Sequence, residues 1–323
     1  MNDILGSPAL ALDPSAQSSG GVVASGVRRT FGPVQAVRGI DLTAAPGEVT
    51  ALVGPNGAGK TTLLLVLATL LVPDAGHVRV AGFDPVTEAD AVRSRMGWSP
   101  DVFGLYDTLT CREYLVFVGE SYRLRKAAAA LRAGELLEQS RLQEQADLPV
   151  HTLSRGQKQR LGLARALVHE PSVLLLDEPA SGLDPRSRVE LRDQLRALAR
   201  AGAAVIVSSH LLGDLEELAD RVVFVDRGVT VGEHRLDQLP VGTASRTWRL
   251  RALEVAPLLA ALTRNGYAYA EPTPSGVEVQ LDSDEAAAAL RAGLVRDGVP
   301  VVACQPRGGQ LEAAYLELTE GRS

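Results

Sequence analysis

A short glycine-rich segment, residues 54–61, constrains this chain more than any other part of its sequence. It reads Gly-Pro-Asn-Gly-Ala-Gly-Lys-Thr and matches the phosphate-binding pattern G-x-x-x-x-G-K-[ST]. An apolar run at residues 49–53 predicts a buried strand before it, and residues 60–71 predict a buried helix, because their apolar side chains lie nearly all round. Strand, loop and helix in this order are the setting in which the pattern binds phosphate, so a glycine-rich turn without a ligand is the weaker interpretation.

The residue types of this loop suit a nucleoside triphosphate. Glycines let backbone N–H groups point inward at phosphate oxygens, and the N-terminus of the following helix adds its partial positive charge. We expect the ammonium group of Lys60 to bridge the β- and γ-phosphates and the hydroxyl of Thr61 to ligate Mg²⁺. The predicted nucleotide-binding residues of the loop are Gly54, Pro55, Asn56, Gly57, Ala58, Gly59, Lys60, Thr61 and Thr62.

A second apolar run, residues 173–176, ends in the adjacent acids Asp177 and Glu178. Two carboxylates at the end of a buried strand are unfavourable unless a metal or a reaction uses them. We therefore predict that Asp177 holds Mg²⁺ through its water shell and that Glu178 polarises the water that attacks the γ-phosphate. The alternative, an acidic start to a helix, explains the pair alone but not its occurrence together with the phosphate-binding loop.

Composition argues against several classes of protein. The 323 residues carry a formal net charge of −6, which disfavours the broad basic surface of a nucleic-acid-binding protein. Cys111 and Cys304 lack the spacing of a metal site, and we expect them to be small buried side chains in a reducing compartment. The longest apolar stretch, residues 63–72, is far shorter than the roughly 20 residues of a membrane-spanning helix. The N-terminus lacks the pattern of a secretion signal.

Hydrophobic patterns divide the chain into three parts. Residues 1–20 predict a mobile N-terminal tail, residues 21–240 a core domain, and residues 241–323 a small C-terminal α/β domain. Within the core domain we expect a helical subdomain at about residues 86–165, with a capping box opening at Thr110. The predicted fold class is α/β, and the fully apolar strands indicate a parallel sheet with helices on both faces. Strands after the subdomain are expected at residues 173–176, 204–207, 222–225, 248–252, 277–281 and 301–304.

The segment before the acidic pair identifies a family. Residues 153–157 read Leu-Ser-Arg-Gly-Gln and resemble the LSGGQ signature of ABC ATPases, with Arg155 in place of the first central glycine. A hydroxyl at Ser154 and the bare backbone of Gly156, at a helix N-terminus, are suited to capping a γ-phosphate. With Gln157, these are the predicted ATP-binding residues of the signature. The resemblance covers about residues 22–233 and includes nearly every expected motif in order. It implies the P-loop NTPase core of the ABC ATPases, with a mixed sheet and an inserted helical subdomain.

Membership of that family implies further site residues. Residues 181–184, Ser-Gly-Leu-Asp, look like the D-loop, which communicates across a dimer: Ser181, Gly182, Leu183 and Asp184. His210 looks like the switch histidine that contacts the γ-phosphate, which makes Glu178, His210 and Lys60 the catalytic set. Phe31 stands where relatives stack an aromatic ring on adenine, although a core aromatic is nearly as good an interpretation. Asp101 replaces the usual glutamine of the Q-loop, and its carboxylate is a candidate ligand of Mg²⁺.

The resemblance also implies how such a chain works. In the family, two cassettes enclose two ATP molecules between the phosphate loop of one and the signature of the other, so we expect an ATP- and Mg²⁺-dependent homodimer or, less favoured, a heterodimer. Separate permease subunits would hold it at the cytoplasmic face of the membrane, and residues 103–106 are the candidate contact unless they form a satellite hydrophobic cluster. The C-terminal part is similar to that of ABC-2-type exporters of drugs and antibiotics, which favours export over import.

Two other functions remain open on the sequence. A soluble ABC protein acting on ribosomes or DNA is disfavoured by the single cassette, the lack of heptads and the acidic balance. A nucleotide-gated scaffold with little turnover is kept open by Asp101. Glu178 argues against it, because its carboxylate would be unnecessary if the chain only bound the nucleotide.

Overall fold

The computed structural model describes residues 20–102, 104, 108–210, 212–239, 246–306 and 309–320. The predicted tail, apart from Gly20, and the predicted permease contact at residues 103–106, apart from Gly104, lie outside these residues. The chain divides into two compact units between Asp237 and Gln238, close to the boundary expected at residue 240.

The first unit is built on one mixed nine-stranded sheet. In spatial order its strands are β4-β1-β2-β9-β8-β3-β7-β6-β5. Strands β5, β6, β7, β3 and β8 are parallel neighbours, whereas β1 pairs antiparallel with β2 and β4, and β9 antiparallel with β8. The strands are β1 (Val22–Phe31), β2 (Val34–Ala44), β3 (Val49–Val53), β4 (Ala75–Val80), β5 (Met96–Ser99), β6 (Val173–Asp177), β7 (Ala204–Ser209), β8 (Arg221–Asp226) and β9 (Val229–Arg235).

Helices α1, α2, α5 and α6 contact strands of this sheet, whereas α3 and α4, which precede α5 between β5 and β6, pack mainly on each other and on α5. The predicted capping box is present, since Thr110 and Glu113 bond reciprocally at the start of α3. Residues 96–99, inside the predicted helical subdomain, instead form β5, an edge strand of the sheet beside β6. The helices are α1 (Lys60–Leu67), α2 (Ala89–Arg93), α3 (Cys111–Ser121), α4 (Lys126–Gln139), α5 (Arg155–Ala166), α6 (Pro185–Arg200) and α7 (Leu212–Glu216).

Helix α1 is shorter than predicted. It ends at Leu67, not at residue 71, because Thr69 takes a left-handed conformation with φ 64° and the Leu70 N–H donates to the Leu65 carbonyl. This bond closes the helix as in a Schellman motif. The apolar side chains of Leu70 and Val72 are therefore exposed.

Burial is greatest in the central strands. Every residue of β3, β6 and β7 is buried, and α1 packs its leucines against them within the main hydrophobic core. Cys111 is buried as expected, whereas Cys304 is only partly buried. No helix among the described residues is long and apolar enough to cross a membrane.

The second unit has a three-stranded antiparallel sheet in the order β11-β10-β12. Strand and helix alternate along the chain, and the apolar faces of α8 and α9 share one core with the sheet. Its elements are β10 (Arg246–Ala252), α8 (Val255–Arg264), β11 (Val277–Leu281), α9 (Asp284–Arg296), β12 (Val301–Pro306) and α10 (Gln310–Glu320).

A histidine after α5 predicts a pH effect on stability. His169 stacks on Tyr122 with ring centroids 3.7 Å apart, and its Nε2 lies 3.1 Å from the Met96 carbonyl oxygen. Its Nδ1 is buried and has no hydrogen-bond partner among the described residues. Burial lowers the pKa of His169, against a smaller raising effect of the bond to Met96. As pH falls below about 6.5, the unfolded chain therefore takes up a proton before the folded one does, and the free energy of unfolding decreases.

We expect His169→Phe, which keeps a ring against Tyr122 but cannot titrate, to reduce this loss of stability. The measurement is the urea midpoint of both proteins at pH 7.5 and pH 5.5. An equal decrease in the two proteins would assign the effect to other groups.

Candidate active site

The phosphate-loop segment lies where β3 ends and α1 begins. Gly59 precedes the helix with φ 103°, and a Cβ at this position would lie 2.7 Å from the Ala36 carbonyl oxygen. A Cβ at Gly54 would lie 2.1 Å from the carbonyl oxygen of Val225 on β8. Gly57 has φ 82° but no atom within 4 Å of the corresponding point. Glycine is therefore required by packing at positions 54 and 59, and by the backbone conformation at position 57.

Lys60 lies beneath this loop and is 6% exposed. Its Nζ donates to the carbonyl oxygens of Gly54 at 2.6 Å and Pro55 at 3.2 Å, so the side chain folds back under the loop. Burial lowers the pKa of Lys60, and the negative charges of Glu178 and Asp177 act in the opposite direction. The arrangement keeps a cation at the point where the loop would receive phosphate.

Sheet pairing brings Asp177 to the same place. Strands β3, β7 and β6 are parallel neighbours, with Val53 opposite Ser209 and Asp177 opposite Ser208, so their carboxyl ends share one edge of the sheet. Asp177 is 3% exposed; its Oδ2 accepts from Thr61 Oγ1 at 2.8 Å and its Oδ1 from Ser208 Oγ at 2.5 Å. The predicted pair of Mg²⁺ ligands, Thr61 and Asp177, is therefore in direct contact.

Glu178 follows with an unusual backbone conformation, φ 49°, for a residue with a side chain. Its N–H donates to Ser208, to Oγ at 3.1 Å and to the carbonyl oxygen at 3.2 Å, and these bonds hold the turn. Its Oε2 lies 2.9 Å from His210 Nδ1. Non-glycine residues held in this region cluster at functional sites. The structure thus places the two predicted catalytic side chains, Glu178 and His210, in contact.

Ser208 is the residue that the sequence interpretation missed. Its hydroxyl contacts both Asp177 and Glu178, yet only its position after the apolar run of β7 marked it. The signal would have been a polar residue at the end of a buried strand that lies parallel to β6. That strand pairing is visible only in the fold.

The signature and D-loop residues form helix caps in this chain. Ser154 is the N-cap of α5: the Gln157 N–H donates to its Oγ at 3.3 Å, and its own N–H donates to Gln157 Oε1 at 2.9 Å. Asp184 caps α6 by accepting from the Ser187 hydroxyl and, at 3.0 Å, from the Ser187 N–H; these bonds, the hydroxyl's first, lower the pKa of Asp184. Within the described residues, no hydrogen bond or ion pair joins residues 154–157 to the phosphate loop.

Two predicted ligands make no hydrogen bond or ion pair to this cluster within the part of the chain that the structure describes. Phe31 is 45% exposed, with the Arg29 guanidinium carbon 4.9 Å from its ring centroid, so its interpretation as a core aromatic is wrong. Asp101 is exposed and forms no hydrogen bond or ion pair with the residues that the structure describes. The roles of Phe31 in adenine stacking and of Asp101 in Mg²⁺ binding therefore stay predictions.

The grouped side chains have complementary chemistry. A buried cation, Lys60, lies near two carboxylates and two hydroxyls, and the N-terminus of α1 adds backbone N–H groups. Such a site has donors for phosphate oxygens, hard oxygen ligands for a divalent cation and a carboxylate that can accept a proton.

Comparison with known proteins agrees with this chemistry. A family profile described as ABC transporter matches residues 37–181. The chain is 35% identical over 305 residues to the daunorubicin/doxorubicin resistance ATP-binding protein DrrA of Streptomyces peucetius, covering 94% of this chain and 88% of that protein. It is 42% identical over 222 residues to DrrA3 of Streptomyces coeruleorubidus, a daunorubicin resistance ATP-binding protein, covering 69% and 70%.

Solved structures show the same fold. An ATP-binding cassette determined as a dimer in a post-hydrolysis state, with ADP and phosphate bound, superimposes with a TM-score of 0.61 at 25% identity. The match covers 67% of this chain and 98% of the cassette. Taken with the phosphate loop, the acidic pair and the signature, these similarities show that the chain belongs to the ATP-binding subunits of ABC transporters, of the drug-resistance type, and is an ATPase.

Proposed function

We propose that this chain is the motor subunit of an exporter, hydrolysing ATP as a homodimer to drive separate membrane subunits. The observation that carries the proposal is the contact of Glu178 with His210 beside the buried Asp177 and Lys60. A proton acceptor, a cation for phosphate and a carboxylate for a metal then lie at one edge of one sheet.

Each side chain has a separate role in this proposal. Lys60 releases its bonds to the loop carbonyls and binds the β- and γ-phosphates, and the loop N–H groups bind the remaining oxygens. Glu178 orients the attacking water and accepts its proton, and His210 holds the Glu178 carboxylate and contacts the γ-phosphate. Phe31, being exposed, is available to stack on adenine.

The residues present fit Mg²⁺. Thr61 and Asp177 are hard oxygen ligands in contact with each other, and a Mg²⁺ ion usually takes only one or two protein ligands besides water and phosphate. No group of three or more His, Cys, Asp or Glu residues suited to a metal occurs among the described residues, which agrees with so small a protein contribution. The ion would neutralise charge on the β- and γ-phosphates. Asp101 remains a further candidate ligand.

A homodimer would complete the site. Each chain has one phosphate loop and one signature, and in the described residues of one chain these are not joined. Ser154, Gly156 and Gln157 would bind the γ-phosphate of ATP held by a second copy, and residues 181–184 would lie at the same interface. The dimeric relative of known structure supports this arrangement.

Coupling to a membrane is supported by the relatives. The similar proteins confer daunorubicin or doxorubicin resistance, and others serve Nod factor export. We therefore propose that the chain docks on membrane subunits at the cytoplasmic face and that these subunits select the exported compound. Nucleic acid is not a partner in this proposal.

ATP-dependent association tests the dimer. We expect the purified chain to sediment as a monomer without nucleotide and to shift towards a dimer with Mg·ATP, most clearly in Glu178→Gln, in which hydrolysis cannot release it. Ser154→Ala should weaken this dimer about tenfold or more through loss of a hydrogen bond to a charged phosphate. Thr152→Ala, an exposed hydroxyl two residues earlier, is the control. A monomer under all conditions would contradict the proposal.

Export is tested in cells. Co-expression with a membrane subunit of about six apolar spans should lower daunorubicin accumulation, and Glu178→Gln should abolish the effect. Equal accumulation with both forms would show that ATP hydrolysis by this chain does not drive export of this class of compound.

A further inference from the structure

The residue that departs from the signature makes a specific contact in this structure. Arg155 occupies the first position of α5, after the capping Ser154. Its Nη2 donates to Ser181 Oγ, 2.9 Å away, in the D-loop segment, residues 181–184. The bond joins the start of the signature helix to a segment 26 residues later in the chain.

Gly182 makes room for this contact. Its φ is 74°, and a Cβ on this residue would lie 2.7 Å from Nε and 2.9 Å from Cδ of Arg155. The arginine side chain therefore lies over bare backbone. A larger residue at position 182 would displace it from Ser181.

Two further contacts join the same segments. A Cβ added at Gly156 would lie 3.5 Å from Leu183 Cδ2, so the buried Leu183 side chain packs against the backbone of α5. Arg160, further along α5, donates through Nη2 to Ser187 Oγ at 2.7 Å. The N–H of the same Ser187 donates to Asp184, the cap of α6. The start of α5 and residues 181–187 thus form one connected unit.

The guanidinium of Arg155 depends on Ser181 for its position. Arg155 is exposed, and no described carboxylate lies within ion-pair distance of it. A single neutral hydroxyl at an exposed site contributes modestly. A hydrogen bond of this strength favours one position of the loop but still allows the loop to move away.

We propose that Arg155 is a positioning residue that locks the signature to the D-loop of its own chain, so that both segments meet the nucleotide of a second copy as one unit. The inference rests on the proposed ATP-sandwich dimer for its consequence, but the contact itself is a property of the single chain. The family signature has a flexible glycine at this position. This chain instead has an arginine side chain that couples the position of the D-loop to α5.

Amide hydrogen exchange in the nucleotide-free chain tests the contact without any dimer. The N–H groups of Ser181 and Leu183 donate within the loop, to the carbonyls of Glu178 and Ala180. We expect Arg155→Ala and Ser181→Ala to speed exchange across residues 181–184 by roughly threefold to tenfold, with no further increase in the double variant. Arg186→Ala, which removes the same charge from an 82% exposed position on α6, should have no effect.

Dimer affinity then tests the consequence. In the Glu178→Gln background, Arg155→Ala and Ser181→Ala should weaken the Mg·ATP dimer by similar factors that do not multiply, while ATP affinity of the monomer stays unchanged. Arg155→Lys, which retains a donor but not the planar fork, should restore part of the loss.

Each result has one meaning. Unchanged exchange in Arg155→Ala would overturn the proposal. A weaker dimer in Arg155→Ala but not in Ser181→Ala would also overturn it, because the arginine would then act by its charge on the nucleotide. If exchange changes as expected but the parent chain never dimerises with ATP, the positioning role stands and the proposed sandwich fails.

Discussion

Glu178→Gln is expected to lower the rate of ATP hydrolysis by about 10²- to 10⁴-fold, the usual contribution of a general base. Glutamine has the same shape and can keep a bond to His210 Nδ1, which lies 2.9 Å from the Glu178 carboxylate. What it loses is the ability to accept a proton from the attacking water. The measurement is steady-state phosphate release together with ATP binding by filter retention, and binding should remain within about twofold because Lys60 and the loop are untouched.

The matched control for this change is Glu138→Gln, which removes one carboxylate from an exposed position near the end of α4. Its turnover should equal that of the parent chain. If Glu178→Gln hydrolyses ATP at the parent rate, another group activates the water, and the contact between Glu178 and His210 serves only to hold the structure. If the parent chain itself binds ATP but does not hydrolyse it alone, addition of the membrane subunits should restore the difference between the two forms.

Lys60→Met is expected to lower turnover by about 10²- to 10³-fold, as for the loss of one preorganised donor to a developing negative charge. Unlike Glu178→Gln, it should also weaken ATP binding, since the ammonium group contacts the phosphates of the ground state as well. The fold should tolerate the change. Burial of the ammonium group is unfavourable and lowers the pKa of Lys60, so methionine removes the cost of burying a charge. The variant also loses the bonds to Gly54 and Pro55, which acts in the opposite direction.

Because these effects oppose each other, we expect the free energy of unfolding of Lys60→Met to fall by less than the roughly 1.5–3 kcal/mol that one hydrogen bond from a charged group contributes. Urea denaturation without nucleotide measures it, and Lys126→Met at an exposed position on α4 is the control for both stability and turnover. A variant that fails to fold would show that the bonds from Lys60 hold the loop even without nucleotide. Retained ATP binding would instead show that the loop N–H groups provide most of the affinity.

The sequence was most informative where a function depends on neighbouring residues. The phosphate loop, the acidic pair and the capping box at Thr110 are short patterns, and each has the local structure expected of it. The family and its ATPase activity follow from their order along the chain.

Features that depend on distant parts of the chain were not predictable in this way. Ser208 contacts both acids because β7 lies beside β6, and no local pattern contains that pairing. Residues 96–99 look like part of a helical region until the sheet provides a neighbour for them. The early end of α1 is local but was also missed, because it follows from a left-handed threonine, a conformation that the sequence does not require. The contact between Arg155 and Ser181 likewise appears only when both segments are in place.

The crowding around the phosphate loop affects how this pattern should be used to recognise working ATPases. Glycine at position 54 is required by the carbonyl oxygen of a neighbouring strand, whether or not a nucleotide ever binds. A descendant that had lost ATP binding would still be under selection to keep Gly54 and Gly59, simply to fold. Lys60 has no such steric requirement, whereas Gly57 is kept as glycine by its left-handed backbone conformation. Drift at Lys60 would therefore be the earlier sign of a cassette that no longer uses ATP.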